Sequence, residues 1–112
     1  MRVPKPSEVW YAHLPKEENR NEIMRDRPCI IVDQVNEEFL VIKVTKHDPR
    51  ESDPYDVEII DWQKCGLKLP STARISKIQY IDRSQIDNYK GRLEETDEKR
   101  ISEMLEKYLN EN

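Results

Sequence analysis

The chain has 112 residues, 36% hydrophobic and 38% charged, with a formal net charge of −4. That length suits one domain spanning residues 1–112 with a single economical core, because small domains keep much of their surface in water. No apolar run approaches the roughly 20 residues of a membrane-spanning helix, and the opening Met1-Arg2-Val3-Pro4-Lys5-Pro6 lacks the hydrophobic segment of a secretory signal, so the expected compartment is the cytoplasm, with no membrane partner.

The charge is unevenly placed. Residues 94–112 hold seven acids and three bases, which leaves residues 1–93 neutral. An acidic total therefore does not exclude a basic groove on the body of the molecule. Gly66 and Gly91 are the only glycines, too few for a phosphate-cradling glycine-rich loop. Cys29 and Cys65 form no CxxC pair and, with two histidines, do not complete a zinc set, so they read as free structural thiols. No metal or cofactor is expected.

Taken in order, residues 8–14 (Glu-Val-Trp-Tyr-Ala-His-Leu) are rich in β-branched and aromatic types and are closed by Pro15, which predicts a strand. Trp10 and Tyr11 point to opposite faces of it, with burial expected for Trp10. Residues 16–27 are polar and read as a long loop, the kind that often carries function. Pro28 to Gln34 is an apolar run starting at a proline, an allowed start for a buried strand. After a turn at Val35-Asn36-Glu37, residues 38–45 form the next strand. Leu40, Ile42 and Val44 share one face, and Phe39, Val41, Lys43 and Thr45 the other. Residues 46–54 are loop, broken by Pro49 and Pro54.

A strand follows at Tyr55–Ile60, then a turn closed by Gly66. Ser71–Tyr80 is a strand with Arg74 and Ser76 on one face, and residues 82–90 are a polar connection with a helical turn. Thr96 is the expected N-cap of a final helix, with acids in its first turn. Ile101, Met104, Leu105, Tyr108 and Leu109 make one apolar stripe on it. About five short strands and one helix predict a mainly β fold, a small curved sheet or barrel with a C-terminal helix.

Several segments, in order, resemble the MazF/PemK-like toxins: Ser7-Glu8-Val9-Trp10-Tyr11; Asp26-Arg27-Pro28-Cys29-Ile30-Ile31-Val32; Val41-Ile42-Lys43-Val44-Thr45; Cys65-Gly66-Leu67 through Ser71-Thr72-Ala73-Arg74; Ile78-Gln79-Tyr80-Ile81-Asp82; and Lys90-Gly91-Arg92-Leu93. The resemblance covers nearly the whole chain. It implies an SH3-like barrel, a homodimer, and sequence-selective endoribonuclease cleavage of single-stranded RNA without metal. The 2′-hydroxyl would attack phosphorus, leaving 2′,3′-cyclic phosphate and 5′-hydroxyl ends. A cognate antitoxin protein would cover the RNA groove. The chain departs from the family pattern in three places. Arg20-Asn21-Glu22 keeps the loop acid without the glycine before it, Lys46 replaces a serine after the threonine, and Ser76 stands where some members have aspartate.

Such cleavage needs a proton removed from the 2′-hydroxyl, charge stabilised at phosphorus, and the leaving 5′-oxygen protonated. Arg27 and Thr45 are the catalytic candidates that the resemblance implies. The planar donor fork of Arg27 matches phosphate oxygens, and Pro28 holds Arg27 extended. Arg27 would stabilise charge first and donate a proton second; Thr45 would bond the phosphate or orient the hydroxyl. Candidates for binding RNA are Glu22, Arg25, Lys43, Lys46, His47, Arg74 and Ser76. His47 is also suited to acid–base work. Lys16 and Arg20 lie near the same loops, interleaved with Glu17, Glu18 and Asp26. Two other readings stay open: a non-catalytic SH3-like binding module, motivated by Lys46 and Ser76, and a gyrase-poisoning toxin of the same fold.

Overall fold

A computed structural model describes residues 2–112. The first strand, β1 (Glu8–Pro15), sends Val9 to one face and Trp10, Ala12 and Leu14 to the other, and both sets are buried. The same holds in β2 (Ile23–Val35), where Ile30 opposes Cys29 and Ile31, and in β3 (Glu38–Thr45), where Ile42 and Val44 oppose Phe39 and Val41. Two apolar clusters result, one on each side of the sheet, and so the central strands read as nearly continuous apolar runs.

The remaining strands are β4 (Asp56–Ile59), β5 (Ser71–Asp82) and β6 (Ile86–Arg92), followed by helix α1 (Glu95–Glu111). The order across the sheet is β4-β5-β3-β2-β1-β6 and every pairing is antiparallel. The mainly β architecture with a terminal helix is thus as expected, but the ladder does not close: β4 and β6 remain edges.

Two expectations need correction. Residues 23–27 are not loop; they extend β2, because Met24 and Arg27 pair with Leu14 and Ala12. Residues 86–92 are not a connection after the 3-10 turn Arg83–Gln85; they form β6 against β1. The β6 sequence Ile-Asp-Asn-Tyr-Lys-Gly-Arg buries only Ile86 fully, so no alternation marks it. Tyr89 instead packs edge-on against Trp10 with ring centroids 5.6 Å apart.

The α1 stripe lies as expected, with Ile101 buried and Met104, Leu105 and Tyr108 half-buried against the first cluster, while Leu109 is 59% exposed. The helix starts at Glu95, with Glu94 rather than Thr96 as N-cap. The reason is tertiary. The wholly buried Asp97 carboxylate accepts bonds from the amides of Ile60 (3.0 Å) and Asp61 (2.8 Å) and from Arg100 (3.2 Å). This ties the first turn of α1 to the end of β4 and places an acid where the helix dipole favours it.

The two glycines sit at one crossing. Gly66 has φ +87°, and a Cβ on it would collide with the carbonyl of Lys90; a Cβ on Gly91 would stand 2.5 Å from the carbonyl oxygen of Cys65. This contact brings the 61–70 segment onto β6 and positions Leu67, Lys68 and Leu69. Among the described residues, no helix is long and apolar enough to cross a membrane.

Candidate active site

The β2–β3 ladder runs down to the pair Cys29–Lys43. One pleat further would set Arg27 opposite Thr45. The pairing ends short of that position, and a groove of about 420 Å³ opens beside it. Arg27 and Thr45 both line it, as do Lys43, Lys46, His47 and Arg74 among the expected residues. Tyr11, Pro28, Leu67 and Leu69 supply an apolar side, and Arg50 and Lys68 add two bases that sequence reasoning did not nominate. Six lysines and arginines line this groove against the single acid Glu17. A chain of net charge −4 therefore concentrates positive charge here.

Arg27 follows a β-bulge. Between the pairs Ala12–Arg27 and Leu14–Met24, β2 carries one residue more than β1, and Asp26 takes φ +52°. Such bulges re-aim a neighbouring side chain. The Asp26 amide donates to Nδ1 of His13 at 3.4 Å, which anchors the bulge. Arg27 is exposed, and among the described residues its guanidinium has no hydrogen-bond or ion-pair partner.

Thr45, the last residue of β3, pairs with Thr72 on β5. Its Oγ1 is buried and has no hydrogen-bond partner. Unpaired buried hydroxyls cost stability, so this one invites a ligand. The neighbouring chain is pinned, because the Thr72 hydroxyl donates to the His47 carbonyl at 2.6 Å.

Arg74 is buried and fully engaged. Its Nη1 donates to Glu17 (2.9 Å), Nη2 to Asp53 (3.2 Å) and Nε to Asp56 (3.3 Å). Ser76 donates to Asp53 behind the groove rather than lining it. Burial pushes the Asp53 carboxyl up, but bonds from Ser76, the Tyr55 amide and Arg74 outweigh this and hold it below the usual aspartate value. Lys43 donates to Glu17 at 3.0 Å. Burial likewise raises the Glu17 carboxyl, and the Lys43 bond with the charges of Lys43, Arg74 and Lys77 brings it below the usual glutamate value.

Glu22 and Arg25 do not reach the groove. Glu22 is exposed and pairs with Lys16 at 2.7 Å, and Arg25 is exposed beside the bulge. Both cysteines are free. Burial pushes the Cys29 thiol up to about 12 and raises Cys65, so neither is a ready nucleophile. His13, Asp26 and Asp87 bring one ligand atom each within 4.8 Å of one another, but both acids are exposed and none of the three lines the groove.

Residues 5–109 match the family described as PemK-like, MazF-like toxin of type II toxin-antitoxin system. Solved structures share the fold. An endoribonuclease from Mycobacterial species is 15% identical with a TM-score of 0.73, covering 98% of this chain and 94% of that one. An endoribonuclease in complex with its cognate antitoxin, also from Mycobacterial species, is 14% identical with a TM-score of 0.74 and 96% coverage of each. The Mycobacterium tuberculosis toxin MazF-mt6 is 17% identical with a TM-score of 0.66, covering 92% and 96%. No curated protein sequence matches significantly. The family match spans every strand, the groove and nearly all of α1, and the chain belongs to the PemK-like, MazF-like toxins of type II toxin–antitoxin systems.

Proposed function

We propose that the chain is a sequence-selective endoribonuclease that cuts single-stranded RNA without a metal, through attack of a 2′-hydroxyl on the adjacent phosphorus. The observation that carries this reading is the pairing, in one basic groove, of an unengaged Arg27 guanidinium with a buried, partnerless Thr45 hydroxyl. In the attack, the O2′–P bond forms as the P–O5′ bond breaks, giving a 2′,3′-cyclic phosphate and a 5′-hydroxyl. Arg27 stabilises the negative charge gathering on the phosphoryl oxygens first and donates a proton to the leaving oxygen second. Thr45 gains the bond it lacks by donating to the phosphate or holding the attacking hydroxyl. Tyr11 offers an aromatic face to a base at the groove wall. His47, exposed at the rim, is the candidate for proton transfer.

Family membership and the named activity of the similar structures support this reading. The chain acts in the cytoplasm as a homodimer, and a cognate antitoxin protein covers the same groove. The test is incubation of the purified protein with a long unstructured RNA in excess chelator, mapping cut sites and end chemistry. Discrete cuts with 5′-hydroxyl ends are expected. No cleavage of several RNAs by a folded protein would leave a binding module instead.

A further inference from the structure

We propose that Lys43 and Arg74 form a phosphate subsite for the RNA backbone, and that Glu17 is its built-in competitor, occupying in the empty groove the place a phosphate takes when RNA binds. The inference rests on the RNA reading above. A single oxygen, Oε1 of Glu17, accepts from both Lys43 Nζ (3.0 Å) and Arg74 Nη1 (2.9 Å). The two bases are a cross-strand pair on β3 and β5, so the sheet sets their spacing without help from Glu17. Asp53 and Asp56 continue to hold Arg74 when Glu17 leaves.

Glu17 differs from the groups it joins. It belongs to the β1–β2 loop, whose backbone is tied at its ends by the bonds of Lys16 with Glu22 and of Glu22 with Asn19. Its side chain remains 37% exposed while that of Lys43 is 13% exposed. The competitor can thus swing into water while the receptor stays built. The exchange also balances charge. A carboxylate and a backbone phosphodiester each carry one negative charge and present oxygens to donors, so the incoming phosphate inherits both bonds. Without Glu17 and without RNA, Lys43 would stand desolvated with no acid beside it, and the groove would bind any polyanion more readily. Glu17 therefore shields the groove against weak, non-specific ligands.

The test uses the full chain, with Glu17→Gln, Glu18→Gln and the double variant Glu17→Gln/Lys43→Met. The ligands are a mixed-sequence single-stranded deoxyoligonucleotide, which has no 2′-hydroxyl to react, and inorganic tripolyphosphate, each titrated across a salt series. Glu17→Gln is expected to tighten both by about three- to tenfold, because the phosphate no longer displaces a carboxylate, with the log affinity against log salt slope for the oligonucleotide unchanged, since the same phosphates are neutralised in both complexes. Glu18→Gln removes the same charge from an exposed neighbour that bonds neither base and should leave both affinities nearly unchanged. The double variant should lose the gain. Equal effects of Glu17→Gln and Glu18→Gln, or weaker binding in Glu17→Gln, would overturn the competitor while leaving RNA binding intact. Tighter tripolyphosphate binding with no oligonucleotide binding by any variant would overturn the backbone role and leave a bare anion site, while the cleavage assay in chelator tests the RNA reading separately.

Discussion

On the proposed role of Arg27, its replacement by alanine should separate catalysis from stability. The guanidinium is exposed and has no partner among the described residues, so its loss strands no buried acid and breaks no internal bond. Folding stability should stay within about 0.5 kcal/mol of wild type, as for surface substitutions elsewhere. The same atoms are poised at the one place where the β2–β3 ladder ends beside Thr45. Removing one preorganised donor from a developing oxyanion costs about 2.7–4 kcal/mol, or roughly a hundred- to a thousandfold in rate. Arg27→Lys keeps the charge but not the planar fork, and should recover only part of the loss. Single-turnover cleavage of a long unstructured RNA in chelator, beside urea unfolding of the same samples, measures both quantities. An Arg27→Ala variant that cleaves within threefold of wild type at unchanged stability would refute the assignment. A variant that loses both together would mean that Arg27 is structural.

Thr45→Val removes a hydroxyl that is buried without a partner while keeping its shape. It should stabilise the fold by about 1 kcal/mol while slowing cleavage, and lost stability would show that the hydroxyl is already satisfied. Asp97→Ala strands the Ile60 and Asp61 amides and should cost about 2–3 kcal/mol, a Tm drop on the order of 10 °C by calorimetry; a drop no larger than that of Glu98→Ala would disprove the staple. Acid titration tests the buried carboxylate of Glu8. Burial raises its pKa, but donors on Trp10, Lys5 and Arg2 bring the net value below the usual one. A folded pKa depressed below the unfolded one contributes stability that is fully present above the unfolded value and lost as pH falls through the folded one. Stability followed by urea unfolding should thus fall from roughly pH 4.5 downward, and fall less in Glu8→Gln. Parallel profiles for the two proteins would exclude Glu8 as a source.

Much of the fold is legible because side-chain alternation and the helical stripe are local properties. Trp10 is 2% exposed and Tyr11 faces the groove wall, as the period of two demands. Ile101 through Tyr108 dock as their spacing requires. The early half of β2 and all of β6 escape because they are polar strands whose stability comes from pairing with β1, not from an apolar face of their own.

The groove divides in the same way. Arg27 before its proline and Thr45 at a strand end stand out from the ordered family segments, and the structure brings them to one groove. Lys68 had a faint signal, lying just after the Gly66-Leu67 pair; Arg50, in an irregular loop, had none. Arg74 and Ser76 share a strand face as the alternation implies, yet only long-range contacts decide that Arg74 is encased by Glu17, Asp53 and Asp56 while Ser76 turns to Asp53.

The amino-acid sequence by itself determined the strand faces, the helix and the order of the family segments, since each depends on neighbours within a few residues. Only the tertiary structure decided that a net-acidic chain turns six bases toward one groove and lays a single glutamate across two of them. Those charges come from β2, β3, β5 and three separate loops. Their assembly depends on strand register and on the close approach of Gly66 and Gly91, contacts between residues far apart in the chain.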